Sequence, residues 1–206
     1  LCSSLFFLGL YHFDNKYSQN TIQAANGILA LSENDLKKSP VRFLVSGWEF
    51  YPDALLTPEE IQDSDHYMRY LSIGEMSNFS SPADSSPYGC GTYRMTFFLP
   101  ERKEAYAIEL PEVFSSYTLY LDHDRILQLG DPEQRIPLVQ NRMVTFYGGK
   151  PVTLTIAVSN YDHFYGGIVY PPAFGTMLAV NTSRGIRFAF CLFSCTVTFV
   201  CALLSF

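Results

Sequence analysis

One uncharged run, Phe188 to Phe206 (FAFCLFSCTVTFVCALLSF), constrains this chain more than any other segment. At about 1.5 Å of rise per residue, a helix over these nineteen residues spans roughly 28 Å, close to the ~30 Å hydrocarbon core of a bilayer. A core helix of that length in a globular protein carries polar positions at a period of about 3.6 residues. Here only Ser194, Thr196, Thr198 and Ser205 interrupt the apolar surface. The run is predicted to be a transmembrane helix, with the membrane segment placed at residues 184–206 and Arg184 and Arg187 where the chain meets the lipid.

The other end, Leu1 to Phe13 (LCSSLFFLGLYHF), has a short apolar stretch with neither an initiator Met nor a basic region. It reads as a clipped signal sequence or signal anchor, or as the first strand of the domain. The expected organisation is therefore a fragment, with residues 14–183 forming one domain between two membrane-directed segments. A domain of that size buries most of the apolar surface that its unfolded chain exposes. The formal charge of −6 is modest and its acidic residues are scattered, which argues against nucleic acid as a partner. Cys2, Cys191, Cys195 and Cys201 fall in the membrane-directed segments, leaving Cys90 alone in the domain. That pattern predicts no disulfide within the domain and no metal-type cysteine cluster. Asn78-Phe79-Ser80 and Asn181-Thr182-Ser183 match the glycosylation sequon, a pattern too short to carry weight.

Between those ends the hydrophobic period is 2. Val152, Leu154, Ile156 and Val158 alternate with Thr153, Thr155, Ala157 and Ser159, the mark of a half-buried strand. Similar alternation marks Val41 to Phe50, Tyr67 to Ile73, Thr92 to Leu99, Ala105 to Leu110, Tyr117 to Leu121 and Met143 to Tyr147. Proline and glycine punctuate the intervals, as at Pro100, Pro111, Gly130-Asp131-Pro132 and Gly148-Gly149. The pattern predicts an all-β sandwich followed by a transmembrane α-helix. A short helix is expected at Thr57 to Asp63, with Thr57 as cap and Pro58 at the first helical position. Ser77 to Pro87 is expected to be a long loop.

Three stretches, in order, resemble a known family. The first is Ala25 to Leu31 with Val45-Ser46-Gly47-Trp48-Glu49-Phe50-Tyr51 and Leu55 to Pro58. The second is Gly89-Cys90-Gly91-Thr92-Tyr93-Arg94 with Leu110-Pro111, Ser116 to Leu121 and Gly130. The third is Val158 to Ile168, VSNYDHFYGGI. Ahead of a membrane helix, they resemble the extracytoplasmic jelly-roll domain of bacterial seven-transmembrane receptors with diverse intracellular signalling modules. That domain is similar to the galactose-binding-like, sugar-binding sandwich of glycoside hydrolase family 2. The resemblance implies a ligand-sensing outer domain at the cell membrane, on the extracytoplasmic side, with carbohydrate or another small molecule as ligand. It also implies further helices and a cytoplasmic output module outside this fragment. The turn after Leu121 departs from the pattern, reading Asp122-His123-Asp124 where such sandwiches use Asn-Gly.

Trp48 and Glu49 combine a stacking surface with an acceptor, which suits a sugar ring; the alternative is a core tryptophan whose indole N–H finds a backbone partner. Arg94 either forks onto a ligand or pairs with a structural acid such as Glu109. Asn160, Asp162, His163 and Tyr165, followed by Gly166-Gly167, form the best candidate binding loop; the alternative is a loop closed by Asx turns with His163 packed on aromatic neighbours. A calcium site from Asp122, Asp124 and Asp131 fits no specific loop pattern. The sequence carries no Gly-x-Ser-x-Gly elbow, phosphate loop or zinc motif, so no catalytic residue, metal or cofactor is assigned and the segment is read as non-enzymatic. The expected partners are a small-molecule ligand, the bilayer and, through the aromatic-rich sandwich, a second copy in a homodimer. The competing expectation is a membrane-tethered carbohydrate-binding module or glycosidase accessory domain.

Overall fold

The computed structural model describes residues 15–17, 21–63, 65–74 and 86–204. The expected N-terminal signal or anchor, Cys2, the Asn78 sequon and all but the end of the Ser77–Pro87 loop lie outside these residues. The described chain is a β-sandwich followed by one long helix. In chain order the elements are β1 (Ile28–Ala30), α1 (Glu33–Lys38), β2 (Val41–Phe43), β3 (Trp48–Pro52), α2 (Pro58–Asp63), β4 (Arg69–Leu71) and β5 (Gly89–Phe98). They continue with β6 (Tyr106–Leu110), β7 (Ser116–Leu121), β8 (Asp124–Leu129), β9 (Arg142–Phe146), β10 (Val152–Asn160), β11 (Ala173–Thr176) and α3 (Met177–Leu204).

The larger sheet runs β4-β3-β5-β10-β7-β8, with β1 alongside β5; the smaller runs β2-β11-β6-β9. At the centre of the larger sheet β10 is antiparallel to both neighbours, with Ile156 opposite Tyr93 on β5 and Leu119 on β7. This register turns Val152, Leu154, Ile156 and Val158 inward, as their alternation predicts. Between the sheets they meet Trp48, Phe50, Tyr93, Met95 and Phe97 from their own layer and Tyr106, Ile108, Phe146 and Phe174 from the other. The aromatic packing is direct: Phe97 lies 5.2 Å from Phe174 between ring centroids, and Phe174 stacks on Tyr106 at 5.8 Å.

The expected strand from Val41 to Phe50 is divided. Residues 41–43 belong to the smaller sheet and residues 48–52 to the larger, so the chain crosses the sandwich between them. Gly47 makes the crossing possible with a φ of +81°, and a Cβ there would run into the Ala24 carbonyl oxygen. Three strands escape the period-2 reading. β1 is too short to show a period, β8 is a largely exposed edge strand in which Ile126 and Leu127 stand side by side, and all four residues of β11 are buried. The last is covered on one side by the core and on the other by α3. The Asp122-His123 turn forms without Asn-Gly: Asp122 takes a φ of +53°, and its Oδ1 accepts the Thr153 N–H at 2.8 Å. The α2 cap is as expected, with Thr57 Oγ1 accepting from Glu60 N–H and the Glu60 carboxylate accepting from Thr57 N–H.

Helix α3 starts directly after β11, earlier than residue 184. Its first turn is held by Met177 N–H donating to the Ala105 carbonyl and Leu178 N–H donating to Glu104, at 2.9 Å each. It then runs antiparallel to β11 across the outer face of the smaller sheet. Val180 is buried there, Arg184 lies 3.6 Å from Glu109, and the Arg187 guanidinium sits over Phe43 at 4.8 Å. Arg184 and Arg187, placed from sequence where the chain meets the lipid, thus lie inside a helix that is already docked on the sandwich. The Asn181 sequon is also helical. By length and composition α3 can cross a membrane, and its most apolar stretch is wholly uncovered by protein. Within it Ser194, Thr196 and Thr198 donate their hydroxyls to carbonyls four residues back, at 2.8–2.9 Å, so each is satisfied within the helix itself.

Strand direction gives the sandwich two ends. At the hairpin end lie the Asp122-His123 turn and the β5–β6 and β9–β10 connections, and α3 begins there. At the loop end lie residues 111–115, 130–141 and 161–172, and α3 points toward it.

Two outcomes are expected in denaturant melts. Gly47→Ala destabilises by on the order of 1–3 kcal/mol, because both the backbone and the Ala24 carbonyl must move. The Tyr117 hydroxyl is buried without a hydrogen-bond partner among the described residues, and burial pushes its phenol up to about 12. Its contribution to stability is complete below the unfolded value of about 10 and is lost as pH rises through the folded value. Tyr117→Phe should therefore be neutral to stabilising by up to about 1 kcal/mol at pH 7 and should reduce unfolding at alkaline pH.

Candidate ligand-binding regions

The residues singled out in the sequence fall into two separate places. Trp48 is fully buried on the core face of β3, its indole N–H donating to the Leu44 carbonyl at 3.0 Å and its ring edge-on to Tyr93 at 6.3 Å. Its neighbour Glu49 points the other way, because successive strand residues alternate. Glu49 and Arg94 are directly opposed across β3 and β5, and Arg94 Nη1 donates to Glu49 Oε2 at 3.1 Å. The structural acid for Arg94 is thus Glu49, while Glu109, on the outer face of the other sheet, meets Arg184. The Tyr51 hydroxyl reaches the same Glu49 oxygen at 3.5 Å, and burial is the main cause that pushes this phenol up. Residues 54–56 lie over this face: Thr92 Oγ1 donates to the Ala54 carbonyl and accepts from Leu56 N–H. The Glu49–Arg94 pair therefore sits on a partly covered sheet surface, with its charges compensated.

The second place is the loop after β10, about five residues, or ~17 Å, along the strand from Arg94. Asn160 is buried and its amide closes the loop: Nδ2 donates to the Pro87 and His163 carbonyls at 2.7 Å, and Oδ1 accepts from His163 N–H. His163 stacks on Phe114 at 4.5 Å, and its Nδ1 accepts from Tyr165 N–H at 3.0 Å. Asp162 and Tyr165 are exposed. The structure brings Asn160, Asp162, His163 and Tyr165 together as one loop, but the amide of Asn160 and the ring of His163 are engaged inside it. What the loop offers outward is aromatic surface: Tyr161, Tyr165 and Phe164, the last 71% exposed. The Arg135 guanidinium lies over Tyr161 at 3.8 Å and joins this loop to residues 131–141.

A third place emerges only in the folded chain. A cleft of 540 Å³ opens at the hairpin end, with Phe146, Val152 and Leu121 below and Glu101, Asp122, Asp124, Tyr147 and Lys150 around it. Its volume suits a small-molecule site. Tyr147 presents its ring at 65% exposure, beside side chains that accept and donate hydrogen bonds. Gly148 and Gly149 allow the rim to close. A Cβ on Gly148 would meet the Pro100 carbonyl and the Tyr106 ring, and Gly149 has a φ of +92° with Glu101 against it. The sequence signal lies in Tyr147-Gly148-Gly149-Lys150, which from sequence reads only as punctuation. Asp131 is not part of this cleft: it lies at the far end of β8, about 20 Å away, where its Oδ1 accepts from the N–H groups of Glu133 and Gln134. This separation removes the three-aspartate calcium reading, and the described residues contain no group of three or more His, Cys, Asp or Glu placed to hold a metal.

No protein-family model matches the sequence, and no curated protein sequence matches it. Solved structures do match. A glycosyl hydrolase family 2 member from Bacteroides cellulosilyticus is similar with a TM-score of 0.52 at 13% identity, over 66% of this chain and 20% of that one. A β-glucuronidase from Parabacteroides merdae is similar with a TM-score of 0.50 at 13% identity, over 66% of this chain and 22% of that one. The chain thus spans about a fifth of the length of these enzymes. At such identities the likeness is one of fold: the sandwich is of the kind that family 2 glycosidases carry.

Proposed function

We propose that this chain is the ligand-sensing sandwich of a membrane-bound signalling receptor, facing the extracytoplasmic side, with a carbohydrate or similar polyhydroxylated molecule as ligand. The observation that carries the reading is the junction of β11 and α3. The strand passes into the helix without a linker, and the helix is docked on the smaller sheet by Val180, Arg184 and Arg187. A ligand that favours one arrangement of the sandwich therefore biases the helix by its differential affinity for the two arrangements. The hairpin-end cleft is the recognition site in this reading, because the apolar half of α3 points to the opposite end and leaves the cleft facing water. An exposed tyrosine ring stacks on the C–H face of a sugar, and Asp122, Asp124 and Lys150 hydrogen-bond its hydroxyls.

The fold shared with family 2 glycosidases favours a second reading, a tethered carbohydrate-binding module. The two readings differ in the consequence of binding, which is an output signal in the first and retention at a polysaccharide in the second. In titrations of the full chain in nanodiscs against a panel of mono- and oligosaccharides, Tyr147→Ala is expected to weaken binding at least tenfold, about 1.4 kcal/mol, with the fold intact by circular dichroism. Binding unchanged by Tyr147→Ala and by Asp124→Asn would remove the cleft as the site. Inserting a flexible Gly-Ser segment between Thr176 and Met177 in the full-length protein should abolish ligand-dependent output while leaving ligand affinity intact. Retained output would leave the tethered module as the better account.

A further inference from the structure

The direction of α3 fixes which end of the sandwich meets lipid, and that end carries the aromatic loop. The helix passes Glu109 and Phe43 at the loop end and continues for seventeen residues beyond Arg187, about 25 Å, with its apolar stretch uncovered by protein. Residues 130–141 and 161–172 lie at this level, because β8 and β10 both end there. Between exposed polar residues such as Glu133, Gln140 and Asp162 they also expose large apolar side chains: Phe164 at 71%, Ile136 at 54%, and Leu138, Val139 and Tyr165 at about half. The two loops form one surface through Arg135 on Tyr161. Asp131 on the same end turns its carboxylate onto its own loop. Exposed aromatic and aliphatic residues with arginine beside them match the composition of a membrane–water interface.

We propose that the loop end of the sandwich rests on the bilayer, with Ile136, Leu138, Val139, Phe164 and Tyr165 in the interfacial layer of the same membrane that α3 crosses. This rests on the reading of α3 as a membrane span. The partner is the lipid itself, recognised by apolar insertion and aromatic contact at headgroup depth. The contact fixes the tilt of the sandwich on its helix and keeps the hairpin-end cleft turned toward water.

The chain has a single tryptophan, Trp48, buried in the core, so an added tryptophan reports its own surroundings above a constant background. Three variants of the full chain, Phe164→Trp, Tyr147→Trp and Phe199→Trp, are reconstituted in phosphatidylcholine vesicles carrying nitroxide labels at the headgroup or mid-chain. Phe164→Trp should lose about half of its added emission to the headgroup label, Tyr147→Trp almost none, and Phe199→Trp should respond to the mid-chain label. Leu138→Trp, on the other loop, serves as a second reporter and should behave as Phe164→Trp. If neither loop reporter is quenched more than Tyr147→Trp while Phe199→Trp is quenched, the interfacial contact is overturned and the span stands. If Phe199→Trp is also unquenched, the span reading and the contact fall together.

Discussion

The ladder that β10 forms with β5 and β7 is the constraint on which the rest of the molecule depends. A strand paired on both sides cannot slip by one residue without sending Val152, Leu154, Ile156 and Val158 to the wrong face. That register sets the height of Tyr93 and Leu119 in the core, and through Phe97 the position of Phe174 and Tyr106 in the opposite sheet. It also sets where the two ends of the sandwich lie. Asn160 closes the loop at one end of the strand, and the Thr153 N–H ties down the Asp122 turn at the other. The aromatic loop and the hairpin-end cleft are therefore held at opposite ends of one rigid strand.

Much of this is legible in the sequence, where one physical rule dominates the local pattern. The period-2 strands in the middle of the larger sheet have one face on the core and declare it. The apolar span of α3 declares itself because nothing buries it. Legibility fails where two rules overlap. β11 is buried on both faces, so its four residues show no alternation, and β8 is an exposed edge strand in which the adjacent Ile126 and Leu127 break the alternation. The crossing at Gly47 interrupts a stretch whose composition is continuous, and only the positive φ breaks it. Sequence reasoning finds the loop at Asn160 to Tyr165 through its residue types. Which of those types face outward depends on partners such as Pro87 and Phe114, far away in the chain.

The helix illustrates how a boundary drawn from composition differs from one drawn by hydrogen bonds. Charge and polarity persist to Arg187, where the uncharged run begins, yet the helix itself begins ten residues earlier because Met177 and Leu178 find acceptors on the β5–β6 connection. The intervening turns are a docking segment rather than a tether. Their polar groups face the smaller sheet through Arg184 and Glu109, so sandwich and span share one rigid piece of backbone.

Val180, Arg184 and Arg187 stand four and three residues apart, which places all three on one side of α3. Carried forward at the same spacing, this stripe passes through Cys191, Ser194 and Thr198. The docking contacts therefore act as a phase reference: they set the azimuth of the apolar stretch relative to the sandwich as well as its point of attachment. The small, weakly polar side of the span lies beneath the sandwich, and the bulky side carrying Phe193 and Val200 turns outward. Any neighbouring helix sheltered under the domain would pack against the narrow side, where backbones approach most closely.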